Sequence, residues 1–117
     1  MKPIVKKIND VKVLDVTDYG SKGVKMQWLI SVEDGAENFA MRRFIIEPGG
    51  FIPEHNHWYE HEIFILNGRG LIGVGEEEYE VDKNTVLFVP PNVKHWYKNI
   101  GDEPFEFLCM IPLKKRE

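Results

Sequence analysis

The sequence predicts an all-β fold in a single domain spanning residues 1–117, and three observations predict it. Short extended segments rich in β-branched and aromatic residues follow one another along the chain. Turn signals separate them at short intervals, and no stretch carries a convincing amphipathic helical period. The chain of 117 residues has the length of one domain and can bury a core without covalent staples.

The predicted strands run in order. VKVLDV (11–16) and VKMQWLISV (24–32) come first and end at an Asp34-Gly35 turn. NFAMRRFII (38–46) is closed by Pro48-Gly49-Gly50, and HEIFILN (61–67) by Asn67-Gly68. LIGVG (71–75) and EEYEV (77–81) lead to Asp82-Lys83-Asn84. TVLFVP (85–90) ends at Pro90-Pro91-Asn92, HWYKNI (95–100) at Gly101-Asp102, and FEFLCMI (105–111) closes the set. Many short strands between such turns describe an antiparallel sandwich or barrel. The sequence shows no internal repeat, low-complexity tract or linker.

Composition narrows the partners. The net charge is −4, and the basic residues cluster only at Lys114, Lys115 and Arg116, a short run that reads as a solvated tail. Nucleic acid is therefore not an expected partner. The opening MKPIVKKIND meets charge too early for a secretory apolar core. No apolar run approaches the roughly 18 residues of a membrane span. One cysteine, Cys109, forbids a disulfide within the chain and fits a reducing compartment, so a cytoplasmic location is expected.

The chemistry concentrates in HNHWYEHE at 55–62, which holds three of the four histidines: His55, His57 and His61. On an extended strand His55 and His57 point to one face, close enough to share a small ion. His61 keeps that parity if the chain stays extended, whereas a bulge at 58–60 brings Glu62 there instead. A lone histidine on a strand is usually a surface or core residue. Three within seven positions, in a chain with one other, point to a metal. His95 lies beyond the Pro90-Pro91-Asn92 turn, and a small barrel interior can bring such separated strands together.

The wider spacing resembles the cupin superfamily. Gly49, five residues, His55-x-His57, three residues, His61, six residues and Gly68 match its first motif, at 49–68. The family has an acidic ligand where this chain has His61. The second motif maps onto Asn84, Pro90, Asn92, His95 and Asn99, at 84–99, with asparagine at both glycine positions. Asparagine is the non-glycine residue that best tolerates a left-handed backbone, so the departures preserve tight turns. The resemblance implies a single-domain cupin, a double-stranded β-helix or jelly-roll-like barrel. HNHWYEHEIFILNG is most similar to small cupins that hold a manganese-type metal with four histidines. By that resemblance the ligands are His55, His57, His61 and His95. The alternative is three histidines with Glu62, but Glu62 leaves only five residues to Gly68.

One divalent transition metal per chain follows from these donors. Manganese or iron is favoured by supply in the cell, and imidazole also suits zinc, copper and nickel. Four neutral donors leave the ion's charge uncompensated, so the site draws anionic oxygen ligands. Tyr97 shares a face with His95, which makes Tyr97 and Glu62 the candidate catalytic residues. Phe105, Phe107, Cys109 and Ile111 share another face, and Arg42 alternates with Phe44 and Ile46. Arg42, Tyr97, Phe107 and Cys109 are the candidate substrate pocket; Arg42 reads either as a buried anion-binder there or as an exposed charge at the barrel edge, and Phe107 and Cys109 either as pocket wall or as plain core. Trp58 and Tyr59 are candidates for its rim.

The resemblance and the donor set imply a metal-dependent oxygenase acting on a small organic substrate. Two alternatives stand beside it: a non-catalytic module that binds or senses metal and a small ligand, and a metal-dependent isomerase or decarboxylase. With four histidines on the metal, none is left as a general base. Assembly as a homodimer is expected through segments 11–16 and 24–32, where Trp28 alternates with Met26 and Ile30.

Overall fold

Strands form where β-branched and aromatic residues concentrate. The computed structural model describes residues 2–114; Lys115 and Arg116 of the basic tail lie outside the described residues. Nine strands follow in order: β1 (Leu14–Asp15), β2 (Lys22–Ile30), β3 (Phe39–His55), β4 (His61–Asn67), β5 (Arg69–Val74), β6 (Glu77–Asp82), β7 (Val86–Val89), β8 (His95–Asn99) and β9 (Phe105–Pro112). Every pairing is antiparallel. The sheet runs β6-β5-β8-β3-β9-β4-β7, with β2 also on β3 and β1 on β2. It curls on itself, so that Tyr97 of β8 stacks on Phe107 of β9 with ring centroids 5.2 Å apart. This is the all-β barrel that the sequence predicts.

The long strand β3 organises the curl. Residues 39–46 pair with β9, whereas residues 51–55 pair with β8. Pro48-Gly49-Gly50 is expected to end a strand, yet β3 runs through it for 17 residues. The segment is a bend inside the strand. Gly49 takes φ 82°, and a Cβ on Gly50 would lie 2.8–3.0 Å from the carbonyl oxygens of Lys22, Glu47 and Gly23. The close crossing of β2 keeps the bend within the sheet, at a register shift between Lys22 and Val24.

Two other expectations change at the N-terminal side. Segment 11–16 contracts to the two residues of β1. Buried Gln27 explains this, because its Nε2 donates to the carbonyls of Ile8 at 2.9 Å and Val11 at 3.0 Å in place of a strand ladder. Segment 24–32 ends at Ile30, where a 3-10 turn at Val32–Asp34 begins under a Ser31–Asp34 capping box.

The core follows strand parity. Phe105, Phe107, Cys109 and Ile111 of β9 are buried and alternate with half-buried neighbours. Ile63 and Ile65 of β4 and Phe44 and Ile46 of β3 are buried beside them. The asparagines at glycine positions behave as the sequence predicts: Asn84 has φ 72° and Asn92 φ 64°, matching Gly68 at 80°. Among the described residues, no helix is long and apolar enough to cross a membrane.

Candidate metal centre

His55 and His95 meet by register, as direct cross-strand partners of β3 and β8. Their ring centroids are 4.4 Å apart. His57 follows in the loop between β3 and β4. The amide of Asn92 donates to its carbonyl at 2.7 Å, tying that loop to the turn before His95. Among the described residues, a ligand atom from each of His55, His57 and His95 lies within 4.8 Å of the others. His61, the first residue of β4, comes in beside them, its ring 4.9 Å from His95 and 5.5 Å from His57. The chain does not stay extended from 55 to 61, so common strand parity is not what gathers these rings. A loop and three strands do it.

Hydrogen bonds orient the imidazoles. Nδ1 of His55 lies 2.7 Å from the Pro53 carbonyl and Nδ1 of His95 2.9 Å from that of Val93. A carbonyl only accepts, so these nitrogens carry the proton and Nε2 keeps its lone pair. Nε2 of His95 and of His61 is buried with no partner among the described residues. Buried polar atoms are normally satisfied, and a cation is what lone pairs so placed can serve. His61 Nδ1 lies 3.1 Å from Cys109 Sγ and 3.3 Å from Arg42 Nη2. Arg42 Nη2 is also 3.1 Å from the same sulfur. An Nδ1–H donating to Cys109, with Arg42 donating to it too, leaves His61 Nε2 free. Tyr19 Oη is 3.5 Å from His57 Nδ1.

Electrostatics hold the rings neutral, the form that binds metal. Burial lowers the pKa of His61 to about 2, with the Arg42 charge next in effect. His57 is lowered to about 4 by burial and then by its neighbour His55. His55 and His95 are lowered too, in each case mainly by burial.

His55, His57 and His61 line a cavity of about 380 Å³. Arg42, Tyr97, Phe107 and Cys109 all sit on its wall, as the sequence predicts. Glu62 does not. It is exposed and lines an outer groove, while His61 is 3% exposed within the cavity. Adjacent strand residues face opposite ways, so Glu62 is removed as a candidate for proton transfer here. Burial pushes the Tyr97 phenol well above its ordinary pKa of 10, so it stays protonated. Tyr59 reaches the cavity, where it stacks on His57 at 4.4 Å, whereas Trp58 is 39% exposed.

Met26 and Trp28 reach the cavity wall, although Trp28 is still 37% exposed, as is Ile30 beyond a register shift. The curl of the sheet decides which face is inner, and the alternation alone does not. Tyr19 was not foreseen. It takes φ 61° and stacks on His55 at 4.3 Å. Its only signal is the following Gly20.

Comparison with known proteins agrees with this geometry. Residues 42–111 match the cupin domain family. An uncharacterized protein of Methanocaldococcus jannaschii is 41% identical over 56 residues, 47% of this chain and 45% of that one. Acireductone dioxygenase of Cronobacter sakazakii is 35% identical over 60 residues, 48% of this chain and 33% of that enzyme. The chain thus spans less than half the length of these curated relatives. The structure of the polyketide cyclase RemF from Streptomyces resistomycificus aligns with a TM-score of 0.88 at 28% identity, covering 100% of this chain and 82% of that one.

Proposed function

The chain belongs to the cupin domain family, and on that premise we propose that it is a metal-dependent oxygenase acting on a small organic substrate. His55, His57, His61 and His95 would hold one divalent ion, with manganese or iron favoured. The observation that carries this reading is the pair of buried, unpartnered Nε2 atoms on His61 and His95 beside the close group of His55, His57 and His95. The bound ion supplies Lewis-acid charge and the one-electron chemistry that joins an organic substrate to dioxygen. The likeness to a dioxygenase supports the class.

The chain's own residues do the rest. Phe44, Ile52 and Phe107 keep water from the inner wall. Tyr97, held as a phenol, offers a hydroxyl to orient a substrate and has no capacity as a base at neutral pH. The likeness to a cyclase favours a second reading, in which the same site acts without dioxygen.

Oxygen uptake with small enols, phenols and diketones separates the two. Uptake in proportion to substrate loss supports the oxygenase, turnover that persists without oxygen supports the second reading, and binding without turnover rejects both. Elemental analysis of untagged protein checks the ligands. His61→Ala and His95→Ala should lose metal and Glu62→Ala should keep it; loss only in the glutamate variant would reverse the assignment.

A further inference from the structure

Arg42 is a buried charge with no counter-ion among the described residues. It is 8% exposed on the inner face of β3, and no ion pair among the described residues includes it. Its Nη2 reaches His61 and Cys109, neither of which is a carboxylate. Its Nε is buried with no partner among the described residues. The guanidinium carbon lies 4.9 Å from the centre of the Phe44 ring and 5.7 Å from that of Trp28. Such rings soften the loss of water around a cation without neutralising it. A guanidinium cannot shed its proton, and its rigid fork matches a carboxylate.

The cavity that Arg42 lines has the wrong charge for a neutral ligand. The guanidinium is a fixed positive charge on its wall, and a divalent ion would only add to it. Asp15 and Asp18 also line it, but both are exposed, where salt screens them. The inner walls near Arg42 are aromatic: Trp28, Phe44, Tyr97 and Phe107.

We propose that Arg42 determines specificity by pairing with the carboxylate or enolate of a small organic anion whose flat apolar body lies against these rings. This deepens the metal-dependent reading and rests on it for the chemistry, though not for the charge selection. A purely structural role, in which Arg42 only braces His61 and Cys109, predicts no preference for charge.

Benzoate and benzamide, alike in shape and different in charge, provide the test. Binding at neutral pH is followed by calorimetry and tryptophan fluorescence in manganese-loaded and chelator-stripped protein, with metal content measured throughout. Wild-type protein should bind benzoate at least tenfold more tightly than benzamide, and the preference should survive metal removal because the guanidinium remains. Arg42→Met should reduce it to under twofold in chelator-stripped protein, where any change in metal affinity plays no part, and Arg42→Lys should keep part of it. Equal affinities in wild-type protein, or an undiminished preference in Arg42→Met, would overturn the proposal. Should Arg42→Met not fold, the wild-type comparison and Arg42→Lys still decide: a lysine variant that keeps a reduced preference supports the pairing with the guanidinium, and a preference identical to wild type or a complete loss counts against it. Metal loss in His61→Ala is read separately, so failure of the metal site and failure of the anion site give different results.

Discussion

Asn84 and Asn92 show how a residue can be legible without its expected identity. Both stand where the family pattern has glycine, and both adopt a positive φ. Replacing Asn84 by alanine should cost about 1 kcal/mol relative to Asn84→Gly, from the steric penalty of a left-handed residue; urea unfolding with an unchanged slope measures it. Asn99 is legible in place and not in role. Its Nδ2 donates to the carbonyls of Ile46 and Glu103, each at 2.8 Å, and its Oδ1 accepts from the Gly101 amide at 2.8 Å. Asn99→Ala strands those groups and should cost about 3 kcal/mol, read as a lower denaturation midpoint with the metal ligands intact. Tyr19 was hidden because a strained turn residue has no periodic signature. Its position over His55 depends on contacts 36 residues away in sequence.

At the scale of elements, strand β3 decides the site. Strand content around it was readable from β-branched and aromatic residues, but the glycines at 49 and 50 read equally as an ending or a bend. The close crossing of β2 selects the bend. Gly50→Ala places a Cβ against three backbone oxygens that cannot turn aside. It should cost about 1–3 kcal/mol and weaken metal binding, because the bend aims residues 51–55 and hence His55. Parallel measurement of the thermal midpoint and the metal stoichiometry tests both; a variant with wild-type metal content and stability would show that the bend tolerates the extra carbon.

The whole molecule stores a pH dependence in its cavity. The imidazoles titrate near 6.5 in the unfolded chain and are held lower in the fold, His57 at about 4. Between those values the unfolded chain binds protons that the native protein refuses. The stability of metal-free protein is therefore complete above pH 6.5 and falls as pH drops toward 4. The urea midpoint at pH 5.0 should lie below that at pH 7.5, and a flat profile would mean the rings are not buried in neutral form. Assembly also belongs to this scale. We propose the homodimer through edge strand β7, a surface besides the segments that the sequence suggests. Among the described residues β7 pairs with β4 alone, and it exposes Val86 at 73% and Phe88 at 52%. Such an apolar edge can pair with its own copy. Sedimentation should give twice 13.7 kDa, and Val86→Asp with Phe88→Asp should give 13.7 kDa.

The sequence by itself determined the all-β class, the strand identities beyond residue 60 and the concentration of three of the four histidines in one short stretch. Those depend on local propensity and on the rarity of a residue type, both written in one dimension. Only the tertiary structure decided that Met26 and Trp28 reach the cavity, that Glu62 faces out, and that Arg42 is a buried cation without an ion pair among the described residues. Each of these depends on how a sheet curls and which side it closes on. The pleat makes the two faces of a strand equivalent until packing chooses between them.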